Sequence, residues 1–185
     1  MTKDSIVHFA LSVVGKDRPG IVAGTTGILY RLGCNIEDSS STMLGGEFAM
    51  ILIISHPTPF TKDRLLEEFR VLGEEMDLTV SARTMTPDEA EYLAPEGEIC
   101  MLSVYGSDKP GIVYRVTREL AGRGINITDL NTKLVGKAGE PVYVMMIEAA
   151  LPEGISVDQV SAMLEEIRKE LNVEISVRSI TPVSL

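Results

Sequence analysis

The chain has no tryptophan, and only two histidines and two cysteines among its 185 residues. With His8 and His56 alone, a catalytic triad or a histidine-rich metal site has little to work with. Cys34 and Cys100 stand far apart, with neither the paired spacing of a zinc site nor the density of a disulfide scaffold. Basic residues are also scarce: 17 Lys and Arg stand against 27 Asp and Glu, a formal net charge of -10. Such a field repels phosphate backbones and argues against direct contact with nucleic acid. The longest apolar run, Phe48 to Ile54, falls far short of the ~20 residues that span a bilayer, and the start MTKDSIVHFA has no apolar core behind a basic end. These absences predict a soluble, cytoplasmic protein without metal or cofactor. What remains, 44% hydrophobic and 24% charged residues, is ordinary globular composition.

What is present is a repeat. GKDRPGIV, from Gly15, returns 91 residues later as GSDKPGIV, from Gly106, and more than half of the positions from Leu11 to Asp38 are identical between the copies. Farther along, SARTMTP (81 to 87) matches SVRSITP (176 to 182) at an offset of 95, so four residues were inserted between. The insertion falls in LVGKAGEP (134 to 141), opposite MLGGE (43 to 47), and predicts a longer loop that is either a mobile lid or a partner contact. A repeat this long means two copies of one domain.

Each copy has the same order of patterns. Val7, Phe9, Leu11 and Val13 alternate as a strand; Ile21, Ile28, Leu29 and Leu32 have helical spacing that stops at Gly33. NIEDSSSTM is polar and β-branched, and Gly45-Gly46 turns it into the apolar strand Phe48 to Ile54. A helix capped at Thr61, with Phe60 stapled onto Leu65, and a strand over 78 to 85 complete the unit; Ser156, Ile155 and Val160 repeat the device. The order β-α-β-β-α-β defines an α+β, ferredoxin-like fold: a four-stranded antiparallel sheet with two helices on one face. The expected boundaries are 1–87 and 98–185, joined by an acidic linker over 88–97 whose start is marked by a capping box, TPDE (86 to 89). The third strand is apolar on both sides, which predicts a partner against its far face; the polar second strand belongs at the sheet edge.

The repeated turn is no phosphate loop. Ile21-Val22 follow Gly20 where such a loop needs Lys and a hydroxyl, and Asp17 would repel phosphate. Pro19 at the first helical position, free N–H groups behind it and Asp17 one turn earlier could instead receive the carboxylate and ammonium of an amino acid. Asn35 and Asn126 at the next strand suit either end of that ligand. A helix cap is the structural alternative for Asp17, and a turn role for Asn35. Arg18 and Lys109 sit where the helix dipole disfavours cations, and face either an acidic partner or solvent. At the repeat's own offset His8, His56, Cys34 and Cys100 align with Ile99, Leu151, Ile125 and Phe9, which marks them as structural; no nucleophile-base pair recurs, so no enzyme is predicted. Gly24 and Gly27, opposite Arg115 and Arg118, predict a close approach to the first helix by ligand or neighbouring helix, and a solvated second one.

With its D-R-P-G loop and G-x-N-I strand start in both copies, the repeat resembles the ACT domain, a ferredoxin-like module that senses amino acids. The resemblance implies that paired units join sheets side by side, with ligand between the loop of one and the second strand of its neighbour. It implies a site of Gly15, Asp17, Arg18, Pro19, Gly20, Ile21, Asn35 and Ile36, repeated as Gly106, Asp108, Lys109, Pro110, Gly111, Ile112, Asn126 and Ile127. The run GCNIEDSSSTMLGGEF (33 to 48) further resembles transcriptional regulators made of two ACT domains, for which glycine is the implied ligand and a separate DNA-binding protein the implied partner, the chain itself forming a homodimer or higher oligomer. A regulatory subunit of an amino-acid biosynthetic enzyme and a ligand-free pairing module are the alternatives.

Overall fold

The computed structural model describes residues 6–57, 59–91, 97–137 and 140–180, leaving aside the side chains of 137 and 140. The chain divides into two compact units, Met1–Leu93 and Ala94–Leu185. The first runs β1 (Val7–Lys16), α1 (Ile21–Leu32), β2 (Asn35–Leu44), β3 (Glu47–His56), α2 (Lys62–Met76), β4 (Leu78–Met85) and the single turn α3 (Pro87–Ala90). The second runs β5 (Glu98–Ser107), α4 (Ile112–Gly122), β6 (Asn126–Lys137), β7 (Glu140–Leu151), α5 (Val157–Leu171) and β8 (Val173–Ile180). The sheets are antiparallel, in the order β2-β3-β1-β4 and β6-β7-β5-β8. The expected α+β architecture is therefore present in both copies.

Alternation sends Phe9, Leu11 and Val13 of β1 and Met50, Leu52 and Ile54 of β3 to one face. Ile21, Ile28 and Leu29 of α1 and Leu65 and Phe69 of α2 close over that face in a single core. In the second unit Cys100, Leu102 and Val104 meet Ile112, Val116, Leu120, Val160 and Leu164 in the same way. The far face of β3 is open by comparison, with Ile51 56% exposed. β2 lies at the sheet edge as expected, and all ten of its residues are exposed. The signals that end the helices act locally: Gly33 closes α1 in the left-handed region at φ 75°, and the Thr61 and Ser156 hydroxyls accept the N–H of Arg64 and Gln159. Thr86 and Glu89 form the expected capping box at α3; residues 92–96 of the proposed linker lie outside the described residues.

Three readings change, while the close approach expected at Gly24 is found and comes from the neighbouring helix. The four inserted residues form no loop: β6 and β7 are each two residues longer than β2 and β3, and the ladder continues through Val135↔Val142, Gly136↔Pro141 and Lys137↔Glu140. Residues 138 and 139 lie outside the described residues. Gly24 is explained by helix packing, since a Cβ there would stand 2.8 Å from Leu72 Cδ1 of α2. Gly27 meets nothing closer than Arg31 Nη1 at 3.9 Å. Its helix neighbour's counterpart Arg115 is not simply solvated: its guanidinium donates to Glu170 of α5.

The two cores also differ at one polar atom. Thr25 is fully buried in α1 and its Oγ1 has no hydrogen-bond partner among the described residues, whereas the aligned residue of α4 is the equally buried Val116. A buried hydroxyl without a partner costs about 1–3 kcal/mol. Thr25→Val is therefore expected to raise stability by about 1 kcal/mol, read as a higher urea midpoint at unchanged slope; a lower midpoint would show that the hydroxyl is satisfied.

Candidate functional site

The Asp loop of each copy leaves the end of its first strand and enters the helix through a glycine in the left-handed region, Gly20 at φ 101° and Gly111 at φ 93°. These glycines are the N-caps, and the helices begin at Ile21 and Ile112. Pro19 and Pro110 thus precede the cap, correcting their expected place at the first helical position. The left-handed cap displaces them: it lets the chain turn before the helix starts. Neither helix has a side-chain cap, so Asp17 and Asp108 do not take the capping role. Both are exposed, and neither carboxylate has a partner among the described residues.

Several other members of the predicted set have plain structural duties. A Cβ at Gly15 would meet Asp77 O and Leu78 Cδ2, each at 2.7 Å, and one at Gly106 would meet Val173 Cγ1 at 2.7 Å; both glycines admit the neighbouring strand. Ile21 and Ile112 are 2% exposed and anchor the helix starts in the core. Lys109 is half-buried and has no acidic partner among the described residues: its Nζ donates to Leu171 O at 2.6 Å, at the carbonyl end of α5 where the dipole favours a cation. Arg18 is exposed at the helix mouth.

The Asp17 N–H donates to Gly46 O at 2.9 Å, which fixes the loop beside the β2–β3 turn. Asn35 opposes Ser55, which opposes His8 at the far end of β1. With about 3.4 Å per residue, the eight steps from His8 to Lys16 separate the two halves by roughly 27 Å. Loop and strand start of one copy therefore cannot touch the same amino acid. The second copy has the same layout, with Asn126 opposing Ala150 and Ala150 opposing Ile99.

The two strand starts are not equivalent. Asn35 Nδ2 donates to Glu37 Oε1 at 3.0 Å, and Ser55 Oγ donates to the same oxygen at 2.5 Å. These two bonds, with a smaller contribution from His8, hold the Glu37 carboxyl below the usual carboxylate range. A register shift between Ile36 and Asp38 gives Glu37 its unusual position, a bulge that alternation alone does not reveal. Asn126 and Ile127 instead border an open cleft of about 470 Å³ beside Tyr114 and Arg118, whose guanidinium lies 5.4 Å over the Tyr114 ring. The aligned residues of the first copy, Ala23 and Gly27, provide neither ring nor cation. Ile36 is 38% exposed, and Ile127 packs partly against the core.

The remaining polar residues behave as structural ones, apart from His8. His56 Nε2 lies 3.1 Å from Leu32 O, and its ring stacks on Phe60 with centroids 4.5 Å apart. Burial pushes the Cys34 thiol up and raises Cys100 to about 11, with help from Glu98, far from a reactive thiolate. His8 Nδ1 is buried without a partner among the described residues. Among the described residues no cluster of His, Cys, Asp or Glu is placed to hold a metal ion, and no helix is long and apolar enough to cross a membrane.

Two sheets of this order, each with its uncapped helix after an Asp-basic-Pro-Gly loop, match the model of the ACT domain over residues 8–83 and 98–178. The chain belongs to the ACT-domain family. It is 29% identical over 177 residues to the glycine cleavage system transcriptional repressor of Escherichia coli K12, covering 95% of this chain and 90% of that protein. A crystal structure of a protein of unknown function from Galdieria sulphuraria superposes with a TM-score of 0.77 at 29% identity, over 95% of this chain and 99% of the other. One provisionally described as a glycine cleavage system transcriptional repressor superposes with a TM-score of 0.74 at 25% identity, over 96% and 99% of the two chains. These relatives are regulatory or unassigned in name, and none of the three is described as an enzyme.

Proposed function

We propose that the chain is an amino-acid-sensing regulator that acts on transcription through a separate DNA-binding protein, with glycine as the leading ligand. The observation that carries this reading is the pair of exposed carboxylates, Asp17 and Asp108, without a partner among the described residues, each three residues before the N-cap of a helix that has no side-chain cap. A carboxylate can receive an ammonium, and helix N–H groups can receive a carboxylate. The likeness to a repressor along almost the whole chain supports regulation, and the net charge of -10 favours a protein partner over DNA. Because the strand-start Asn of the same copy is roughly 27 Å away, a complete pocket takes its Asn from a second copy of the chain, which favours a homo-oligomer.

A thermal-shift panel of the standard amino acids tests this. A ligand at 100 times its dissociation constant adds about 2.7 kcal/mol of stability. Glycine is expected to raise the melting temperature, and Asp17→Ala with Asp108→Ala to abolish the rise. No shift with any amino acid at millimolar concentration would remove the sensing role, and full binding by the double variant would misplace the site. Affinity capture with the purified chain then separates the partners: recovery of a biosynthetic enzyme in place of a DNA-binding regulator would move the function to enzyme control.

A further inference from the structure

The two strand starts share a backbone and differ in what their side chains do. In both copies the register of the edge strand slips at the same place, between Ile36 and Asp38 and between Ile127 and Asp129. The residue left out of the ladder is Glu37 in the first copy and Thr128 in the second. Such a bulge re-aims the side chain it carries. Opposite the strand-start Asn stands Ser55 in one copy and Ala150 in the other.

These two exchanges set the state of the Asn. In the first copy Glu37 Oε1 accepts from Ser55 Oγ at 2.5 Å and from Asn35 Nδ2 at 3.0 Å. Both bonds favour the ionised carboxyl, and Ser55 is itself only 8% exposed. The amide that would donate to a ligand's carboxylate therefore already donates to a carboxylate of its own chain. A second carboxylate brought to Asn35 would meet the first across one nitrogen, and like charges that share a site repel. In the second copy Ala150 has no hydroxyl, and Thr128 donates to Glu148 Oε1 at 2.7 Å. Glu148 is held by Thr128 and not by the Asn. Asn126 is exposed, and its carboxamide has no partner among the described residues. Both its donors and its acceptor remain for a ligand.

We propose that Glu37 is a built-in stand-in for the ligand carboxylate that closes the first strand start, so that the chain takes an amino acid only at the strand start of Asn126. This rests on the sensing role proposed above and adds a count to it: one of the two strand starts in each chain is in use. It also gives the repeat a division of labour. The first strand start keeps its fold and its Asn, and the Asn serves the edge of the sheet; the second leaves the same amide for the ligand. The exchange of Glu37 for Thr128 is what separates them, since the bulge that carries both residues is common to the copies.

NMR of the full chain, following backbone amides and Asn side chains during titration with glycine, tests it. Saturable shifts are expected at residues 126–129 and at the Asn126 carboxamide, with residues 35–38 and the Asn35 carboxamide unmoved. Glu37→Thr, which installs the residue of the second copy, should bring saturable shifts to residues 35–38 as well. The converse, Thr128→Glu, should weaken the response at 126–129 at least tenfold. Asn126→Ala should abolish that response, and Asn35→Ala should leave it as in the parent. The inference fails, with glycine binding intact, if glycine moves both strand starts of the parent, if it moves residues 35–38 alone, or if the pattern survives both Glu37→Thr and Thr128→Glu unchanged. No saturable shift anywhere in either the parent or the Glu37→Thr variant would remove glycine as the ligand, and this inference with it.

Discussion

Gly15→Ala is expected to destabilise the first unit by about 3 kcal/mol, the upper range for forcing atoms into a filled space. The added Cβ would stand 2.7 Å from Asp77 O as well as from Leu78 Cδ2. The leucine methyl can swing away, but the Asp77 carbonyl belongs to the C-cap of α2, held in the left-handed region at φ 52°. Gly15 also pairs with both Phe48 and Leu78, so its own backbone cannot withdraw without breaking two ladders. Gly106→Ala meets Val173 Cγ1, a side-chain atom, and should cost less. Urea unfolding checks both: the Gly15 variant should lose more of its midpoint than the Gly106 variant, at unchanged slope. Equal midpoints for Gly15→Ala and the parent would show that the first motif glycine serves a ligand rather than the passage of β4.

Phe69→Ala should cost still more, about 4 kcal/mol. The ring is 1% exposed on α2 and belongs to the core that includes Phe9, Leu11, Leu52 and Ile54. Truncation removes the transfer energy of the ring and leaves a void that a sheet fixed by three ladders cannot collapse to fill. Marginal stability of about 5–15 kcal/mol makes this a large share of the whole. A melt followed by amide signals of the first unit should shift down by on the order of 20 °C; retention of the parent midpoint would mean that α2 is not seated on the sheet as described.

Much of this architecture was legible because the signals are local or duplicated. Alternation in β1, the Gly33 stop, the Thr61 and Ser156 caps and the Thr86-Pro87-Asp88-Glu89 box each act within a few residues, and the repeat confirms each pattern against its twin. Pro19 was misplaced by two positions because proline is equally at home just before a left-handed cap, and only the conformation of Gly20 decides between the settings. The bond from Lys109 to Leu171 joins residues far apart in sequence, so no local pattern announces it. The Asp loop and the strand-start Asn are 18 residues apart in the chain yet at opposite ends of one sheet, since α1 and the turns on either side of it carry the chain back along β1.

The longer hairpin of the second unit has a consequence for how such a repeat can grow. Side chains alternate between the two faces of a sheet, so one added residue in an arm would turn every position beyond it inside out. Two added to each arm leave Ile147 and Met145 facing the core, as their counterparts Leu52 and Met50 do. Matched lengthening of both arms at this tip therefore leaves the faces of the sheet as they were. The reach of the β6–β7 arm can be altered in evolution, or by design, without disturbing the unit beneath it.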